Sequence, residues 1–326
     1  MKNSMLYFMA VSLVSFFSTL SCSSEREKEV NKEKKQLSEQ YPHVIEDKLM
    51  TDSSLLGKRL FDGMLANYIQ DLSELKKEVN QTGASFCVCF LTPEVGESLT
   101  IANRIGKIEI QNICDSLQIP YYDLTKQISK MNPLEITQMP KDGHWSKKGA
   151  EVVASELQKV VKLNTLIIPN KPNEMQMGVL GDHIPNENKI LDGGKQLPYK
   201  IKINSQGLRM NRDVAVTKKN QRILFFGDSE MFFPFLDNEY MATEILQNKM
   251  PDREILNASA WGYTVKDYLD LYKEKAKKSQ ADVVIVVTNG NDILDYYFSK
   301  RNLLGRKNSP TIPTKDELEY YEKYLK

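Results

Sequence analysis

Histidine is scarce in this chain, whose 326 residues include only His43, His144 and His183. A zinc cluster or a histidine-dependent reaction therefore has few residues to draw on, and we expect no bound metal. The chain also lacks an excess of either charge, because 44 Lys and Arg accompany 43 Asp and Glu. We accordingly expect no nucleic acid among its partners. The apolar fraction of 41% still suffices for one large hydrophobic core or two smaller ones.

Cysteine is also rare, with one residue near the amino terminus and three further along, Cys87, Cys89 and Cys114. Cys87 and Cys89 lie two residues apart in an apolar run, and side chains at that spacing share one face of a strand. This placement favours small buried hydrophobic residues over a bridge. We therefore expect no disulfide framework.

The first 21 residues have the pattern of a secretory signal peptide: Lys2, an apolar run over 5–17, and small polar residues that end at Ser21. The run is shorter than the roughly 20 residues that span a bilayer. Cys22 after a small residue resembles the lipobox of bacterial lipoproteins, which implies an acylated Cys22 at the mature amino terminus. The lipobox prefers Leu where this chain has Thr19, so export is better supported than lipidation.

Residues 22–56 follow as a predicted tether, because the stretch 25–36 carries charges of both signs and almost nothing apolar to bury. Together with the resemblance at Cys22, this segment predicts an exported protein that is anchored to a membrane as a periplasmic or cell-surface lipoprotein.

Five short apolar runs have the length and the β-branched or aromatic content of strands covered on both faces, namely 84–91, 119–124, 222–226, 254–259 and 282–288. Helical patterns separate or follow them, at 56–77, 102–117, 147–162, 239–249, 265–277 and 315–325. Alternating strands and helices predict an α/β protein of flavodoxin-like, three-layer α/β/α architecture around a five-stranded parallel sheet.

Residues 166–219 interrupt this alternation with several prolines and glycines. They then show a stretch of period two, in which Tyr199, Ile201 and Ile203 alternate with lysines. We expect a loop insert with a small β element. It separates 57–165 from 220–326.

Two motifs supply the residue types of nucleophilic catalysis. Ser229 follows a predicted strand and Gly227, a residue that permits a sharp turn at the strand's carboxyl end. Asp142 and His144 lie two apart, a spacing that lets the carboxylate bind imidazole Nδ1 and leaves Nε2 to accept a serine proton. The structural alternatives are an ordinary helix cap at Ser229 and a loop histidine bound to backbone.

Two further motifs follow the fourth and fifth predicted strands and contain Gly262 and Asn291. A backbone N–H and an Asn amide are donors that stabilise a tetrahedral oxyanion, although Asn-Gly is also frequent in turns. All four motifs follow predicted strands, and the carboxyl edge of a parallel sheet is where an open α/β fold assembles its site. We expect His43, and His183 beside Asp182, at the surface instead.

Together these motifs resemble the four blocks of the SGNH (GDSL-type) serine hydrolases. The resemblance implies Ser229 as nucleophile, His144 as base and Asp142 as the partner of that base. It also implies an oxyanion hole made of the Ser229 N–H, the Gly262 N–H and the Asn291 amide, with no metal or organic cofactor.

The order of the motifs is reversed relative to the common family, since the Asp-His motif precedes the serine motif. Placing 220–326 before 57–165 restores the usual strand sequence, so the chain resembles a circularly permuted SGNH domain. This order, together with the Asp-Gly-His-Trp motif, is similar to the alginate O-acetyltransferase family. The resemblance implies an exported serine esterase or O-acetyltransferase acting on acyl esters, with acetyl the expected acyl group, of a carbohydrate or on small esters.

Two departures leave the acceptor open between water and a sugar hydroxyl: Glu230 follows the serine, and the Asn291 motif is closer to ordinary SGNH esterases. A different class of function is a non-catalytic glycan-binding or scaffold lipoprotein on an SGNH frame, because one fold can host unrelated functions. Glu230 supports it, since a carboxylate beside the nucleophile could oppose oxyanion formation. A third alternative is an esterase that another subunit completes.

The motif order has a second explanation, in which 57–165 and 220–326 are halves of two tandem domains. Two half-sheets would expose large apolar faces that one complete sheet buries. One domain is therefore favoured.

Overall fold

The computed structural model describes residues 55–94, 101–139, 141–164, 178–193 and 198–294. The predicted signal peptide, Cys22, His43 and the helix expected at 315–325 lie outside these residues. Within the described ranges, no helix has the length and apolar character needed to cross a membrane.

The structure contains seven described strands, and five of them overlap the five predicted runs. They are β1 (Ser85–Phe90), β2 (Tyr121–Asp123), β3 (Asn188–Leu191), β4 (Tyr199–Lys202), β5 (Gln221–Gly227), β6 (Arg253–Asn257) and β7 (Val283–Thr288). The five strands that overlap the predicted runs form one parallel sheet in the spatial order β2-β1-β7-β5-β6. The predicted five-stranded parallel sheet is therefore confirmed.

The strand order becomes flavodoxin-like after a cyclic shift of the chain. Counting from β5 through β6 and β7 to β1 and β2 gives the spatial order 2-1-3-4-5. β1 pairs with β7 along its whole length, from Ser85 beside Val283 to Phe90 beside Thr288. Strands from the first and last parts of the chain thus share one sheet, which confirms the permuted order and excludes two separate half-sheets.

Nine α-helices accompany the strands within the described ranges, together with two 3₁₀ helices, Asn238–Tyr240 and Ala276–Ser279. The α-helices are α1 (Leu55–Gln81), α2 (Ile101–Ser116), α3 (Thr125–Ile128), α4 (Pro133–Ile136), α5 (Lys147–Asn164), α6 (Ser229–Phe232), α7 (Ala242–Lys249), α8 (Val265–Glu274) and α9 (Asn291–Leu294). Five predicted helices correspond to α1, α2, α5, α7 and α8. The four-residue helices α3, α4, α6 and α9 were not predicted.

The sheet lies between two helix layers, as the three-layer prediction requires. In β1, Phe86, Val88 and Phe90 face a core that includes α1, α2 and α8. Cys87 and Cys89 face the opposite core, which includes α5 and α7. Both faces of the strand are covered, which explains its continuous apolar run. The three described cysteines are free and buried, and none of them forms a disulfide.

The insert contains the small β element that the period-two pattern predicts. β3 pairs with β4 in antiparallel orientation. Tyr199 and Ile201 of β4 are buried, whereas Lys200 and Lys202 are exposed. The buried pair packs against Phe232 at the end of α6, so the insert adjoins the segment that follows the predicted nucleophile.

The first part of the insert is bound to the α/β body. The carboxylate of Asp182 accepts hydrogen bonds from Lys275 Nζ at 2.6 Å and from the Tyr263 hydroxyl at 2.9 Å. His183 Nε2 donates to the carbonyl oxygen of Ser259 at 3.0 Å, and burial lowers the pKa of this imidazole. The expectation that Asp182 and His183 are surface residues is wrong, because the insert folds back onto the loops after β6 and α8.

Candidate active site

The serine turn lies at the carboxyl edge of the sheet, where Ser229 begins α6 directly after β5. Gly227 makes the turn possible, because a Cβ there would lie 2.5 Å from the Cβ of Met231. The side chain of Asp228 caps α6 by accepting a hydrogen bond from the Glu230 N–H at 2.9 Å. β5 and β7 are the neighbouring strands at which the strand order reverses, the position where open α/β sheets bind their ligands.

The Asp142–His144 pair lies on the loop between α4 and α5. The Asp142 carboxylate accepts a hydrogen bond from His144 Nδ1 at 2.6 Å and a second from the His144 N–H at 2.8 Å. A proton held on Nδ1 leaves Nε2 with the lone pair that a general base needs. The structure thus has the carboxylate–imidazole bond that the spacing predicts, while the catalytic roles of both residues stay predictions.

Gln138 holds the Asp-His loop in place. Its N–H donates to the carbonyl oxygen of His144 at 2.9 Å, and its Nε2 donates to the carbonyl oxygen of Trp145 at 3.0 Å. The same Nε2 lies 3.4 Å from the carbonyl oxygen of Pro234, on the loop after α6. One side chain therefore connects the Asp-His loop to the segment that follows the serine turn.

The imidazole of His144 reaches residues from the second half of the chain. Its ring centroid lies 5.5 Å from that of Trp261 and 6.0 Å from that of Phe235. Burial raises the pKa of Asp228, and His144 is near enough to oppose that rise. The histidine therefore lies among the loops that carry the predicted nucleophile and the predicted glycine donor.

Ser229 and His144 lie on adjoining loops without a direct bond. Among the described residues, no hydrogen bond joins Ser229 Oγ to the His144 imidazole. Catalytic hydrogen bonds are often long before substrate binds and tighten in the reacting complex. Proton transfer between the two groups is therefore a prediction rather than an observed contact.

The three predicted oxyanion donors follow β5, β6 and β7. Gly262 has a φ of 70°, the left-handed region in which residues other than glycine are strained. Its loop is bound to the serine turn, because the Ala260 N–H donates to the Gly227 carbonyl oxygen at 3.1 Å. In the described part of the chain, neither the Ser229 N–H nor the Gly262 N–H donates a hydrogen bond. Asn291 begins α9 and is exposed.

Asn289, which the sequence did not single out, links the serine turn to the Asn291 turn. Its Nδ2 donates to Asp228 Oδ2 at 2.9 Å, and its Oδ1 accepts the Asn291 N–H at 2.8 Å. Its own N–H donates to Asp292 Oδ2 at 2.9 Å. In the sequence, Asn289 is the first residue of an Asn-Gly turn dipeptide, and no local pattern shows that its side chain reaches another strand end.

The carboxyl groups of Asp228 and Asp292 are both buried next to the serine turn. Asp292 accepts hydrogen bonds from the Tyr268 hydroxyl at 3.0 Å and the Thr288 hydroxyl at 2.7 Å. Burial and the charge of Asp228 raise the pKa of Asp292.

Within the described ranges, no three His, Cys, Asp or Glu side chains are grouped so that they could hold a metal ion.

Glu230, directly after the serine, carries a third buried carboxyl. Burial, followed by the charges of Asp228, Glu94 and Asp142, raises its pKa well above the usual range. Neither Glu230 Oε2 nor Trp145 Nε1 has a hydrogen-bond partner of good geometry in the described structure. The indole N–H of Trp145 is nevertheless near enough to the Glu230 carboxyl to oppose the rise in its pKa. Burial therefore disfavours the negative charge that the sequence places beside the serine.

Fold and site together define a three-layer α/β protein with a permuted flavodoxin-like sheet and four polar motifs at its carboxyl edge. No protein-family model and no curated protein sequence matches the chain. Among solved structures, the chain is similar to the O-acetyltransferase domain of Pseudomonas putida AlgJ, with a TM-score of 0.46 and 13% identity over 72% of this chain and 84% of that one. It is also similar to Pseudomonas aeruginosa AlgX, with a TM-score of 0.40 and 15% identity over 68% of this chain and 56% of that one.

Proposed function

We propose that the chain is an exported SGNH-type serine esterase or O-acetyltransferase that acts on acyl esters of a carbohydrate, with acetyl the expected acyl group. The position of His144 supports this most directly. Its Nδ1 is bonded to Asp142, and its ring lies 5.5 Å from Trp261, next to the Gly262 loop. A base from the first half of the chain thereby adjoins the Ser229 turn at the switch point of the sheet.

The first half of the proposed reaction forms an acyl-enzyme. Ser229 Oγ attacks the ester carbonyl while His144 Nε2 takes the hydroxyl proton, and the Asp142 carboxylate stabilises the imidazolium. The Ser229 N–H, the Gly262 N–H and the Asn291 amide donate to the oxyanion. Each such donor contributes on the order of 3 kcal/mol to the barrier reduction. The two backbone N–H groups have no other partner in the described chain, which makes them available for this role.

Completion of the acyl-enzyme precedes transfer of its acyl group. The tetrahedral intermediate collapses, the alcohol leaves with the proton from His144, and the acyl group stays on Ser229 Oγ. Water or a sugar hydroxyl then attacks the acyl-enzyme while His144 takes its proton. The second tetrahedral intermediate collapses, the imidazolium returns the proton to Ser229 Oγ, and the carboxylic acid or the new sugar ester leaves. Water as acceptor makes the protein an esterase, and a sugar hydroxyl makes it a transferase. Neither path requires a metal or an organic cofactor.

The location belongs to the same proposal. A signal peptide over 1–21, acylation of Cys22 and the tether 22–56 would hold the folded domain off a membrane surface in the periplasm or at the cell surface. Incorporation of a radiolabelled fatty acid into the wild-type protein, and its loss in Cys22→Ala, is the expected result. Equal incorporation in both proteins would contradict the assignment of Cys22.

Acetate release from an acetylated polysaccharide tests the chemistry. We expect wild-type protein to release or transfer acetate, and Ser229→Ala and His144→Ala to lose at least about 10³-fold in rate. Ser205→Ala, in the insert, is a matched serine control and should retain the wild-type rate. An unchanged rate in Ser229→Ala, with intact circular dichroism, would contradict the proposal.

The non-catalytic alternative has its support in Glu230, whose carboxyl would oppose an oxyanion if it ionised. A glycan-binding protein of this fold predicts no acetate release from any ester by wild type. It also predicts binding to acetylated polysaccharide that is unchanged in Ser229→Ala. That pair of results would replace the enzyme proposal with the binding one.

A further inference from the structure

Trp261 leaves a large aromatic surface open to solvent beside the candidate site. It is 47% exposed, and among the exposed large hydrophobic residues of the described chain it is the one with an aromatic ring. It directly precedes Gly262, the predicted oxyanion donor. The second tryptophan of the chain, Trp145, is completely buried. Trp261 therefore offers an open aromatic face beside the candidate site.

Trp261 forms a corner of aromatic rings with Phe235. Their centroids lie 6.0 Å apart, with the ring planes at 87°. The imidazole of His144 lies beside both rings, 5.5 Å from Trp261 and 6.0 Å from Phe235. The ring centroid of Tyr199, in the insert, lies 5.6 Å from that of Phe235, so the insert also packs against this corner.

Phe235 is held in this position at a conformational cost. Its φ is 65°, a left-handed conformation that is unfavourable for a bulky side chain. The completely buried Arg209 fixes the segment by donating to the carbonyl oxygens of Phe233 at 3.1 Å and Leu236 at 2.6 Å. Strained backbone conformations cluster at ligand-binding segments, and this one lies on the loop beside His144.

The proposed reaction decides which part of the substrate meets this corner. The leaving alcohol takes its proton from His144 Nε2, so the group attached to that oxygen lies on the imidazole side of the ester. Trp261 and Phe235 lie 5.5 Å and 6.0 Å from the imidazole. We therefore expect these rings to contact the alcohol portion of the ester.

We propose that Trp261 and Phe235 form a subsite for a pyranose ring in the alcohol portion of the ester, and that Trp261 sets the preference for sugar esters. A pyranose has apolar C–H faces and a polar rim, which matches an open indole face bordered by polar groups. His144 and the part-exposed Asp142, whose carboxylate accepts a hydrogen bond from His144 Nδ1 at 2.6 Å, are the polar groups beside the two rings. The inference rests on the proposed function, because the reaction orients the ester.

Kinetics with two esters of the same acyl group test the subsite. A pyranose acetate and ethyl acetate share the acetyl group and differ in the alcohol portion. Trp261→Ala should lower the ratio of kcat/KM for the sugar ester to that for ethyl acetate about tenfold, mainly through KM, and Trp261→Phe should lower it less. The control is Leu163→Ala, a 65% exposed residue at the opposite end of α5, which should leave the ratio unchanged.

Three outcomes would overturn the inference. An unchanged ratio in Trp261→Ala would show that the indole does not contact the alcohol. An equal loss of kcat/KM on both esters would show that Trp261 acts by positioning the Gly262 loop and not by contacting the alcohol. A larger loss with phenyl acetate than with the sugar ester would replace the pyranose with an aromatic alcohol.

A binding measurement separates failure of the subsite from failure of the proposed function. In Ser229→Ala, titration with the pyranose acetate should change the emission of Trp261, and the change should be absent in Ser229→Ala/Trp261→Phe, which keeps only the buried Trp145. A saturable change without hydrolysis of any ester by wild type would retain the subsite and reject the enzyme. Ser229-dependent hydrolysis without an emission change would retain the enzyme and reject the subsite.

Discussion

At Ser229 the chain passes from a buried strand into a helix of four residues, and buried polar side chains determine the shape of this turn. The serine itself is visible in the sequence, because Gly-Asp-Ser follows an apolar run. Asn289 is not, because its partner Asp228 lies 61 positions away and only the pairing of β5 with β7 brings them together. The candidate nucleophile and base were therefore predictable, and the residue that connects two of their loops was not.

Substitution of Asn289 tests this connection. Asn289→Ala leaves the buried carboxylate of Asp228 and the Asn291 N–H without their present partner. We expect a loss of about 1–3 kcal/mol in the free energy of unfolding, and a lower kcat for acetate release because the Asn291 turn is less well fixed. Denaturant unfolding and initial rates measure the two effects. The exposed Asn188 gives the matched control, Asn188→Ala, and equal stability of the two variants would contradict the connecting role of Asn289.

Glu230 predicts a pH-dependent difference in stability. Its pKa in the folded protein is raised above the unfolded value of about 4.3, so the folded state binds the proton more tightly. The protonated Glu230 carboxyl therefore contributes its full share to the free energy of unfolding below about pH 4. This contribution is lost as the pH rises through the pKa of Glu230 in the folded protein. Glu230→Gln lacks this titration, so its free energy of unfolding relative to that of wild type should increase as the pH rises from about 4.

Urea unfolding at several pH values measures this difference. Asp228 and Asp292 are present in both proteins, so their contributions largely cancel. Glu239→Gln, an exposed residue on the segment after α6, is the control and should follow the wild-type curve. Parallel curves for wild type and Glu230→Gln would show that the Glu230 carboxyl is not destabilised by burial.

At the scale of elements, the strands were predictable because both of their faces are covered and their apolar runs are nearly continuous. The short helices α3, α4, α6 and α9 were not, because four residues make about one turn and show no 3.6-residue period. The position of the insert was also missed. Asp182 and His183 look like polar loop residues, and their partners Tyr263, Lys275 and Ser259 lie far along the chain.

Helix α2 approaches the Asn291 turn closely at Gly106, so we expect substitution of this glycine to affect stability. A Cβ at Gly106 would lie 2.5 Å from the Cα of Gly290, whose N–H donates to Asn103 Oδ1 at 2.9 Å. In an open helix, Gly→Ala stabilises by about 0.5–1 kcal/mol. Here overpacking should dominate, so Gly106→Ala should destabilise by about 1–3 kcal/mol and slow acetate release.

Thermal or denaturant unfolding checks the sign. Gly178→Ala is the control, because a Cβ there meets nothing within 4 Å and the substitution should be neutral or slightly stabilising. A stabilised Gly106→Ala would contradict the close contact between α2 and the turn before α9.

For the molecule as a whole, the permuted sheet predicts one cooperative unfolding transition. β1 lies between β2 and β7, so neither half of the chain can lose its strands without exposing the other. The chain has one tryptophan in each half, Trp145 and Trp261. In the single-tryptophan variants Trp261→Phe and Trp145→Phe, the fluorescence midpoint should coincide with the circular dichroism midpoint of the same variant. Separate midpoints would indicate two independently folding units.

We propose that an imidazole from the first half of the chain activates a hydroxyl from the second half. The rate at which a fluorophosphonate labels Ser229, with the modified peptide identified by mass spectrometry, measures this activation directly. We expect labelling of wild type at Ser229 and a rate at least about 10²-fold lower in His144→Ala with unchanged circular dichroism. A folded wild-type protein that is not labelled, or equal labelling rates in both proteins, would contradict this proposal.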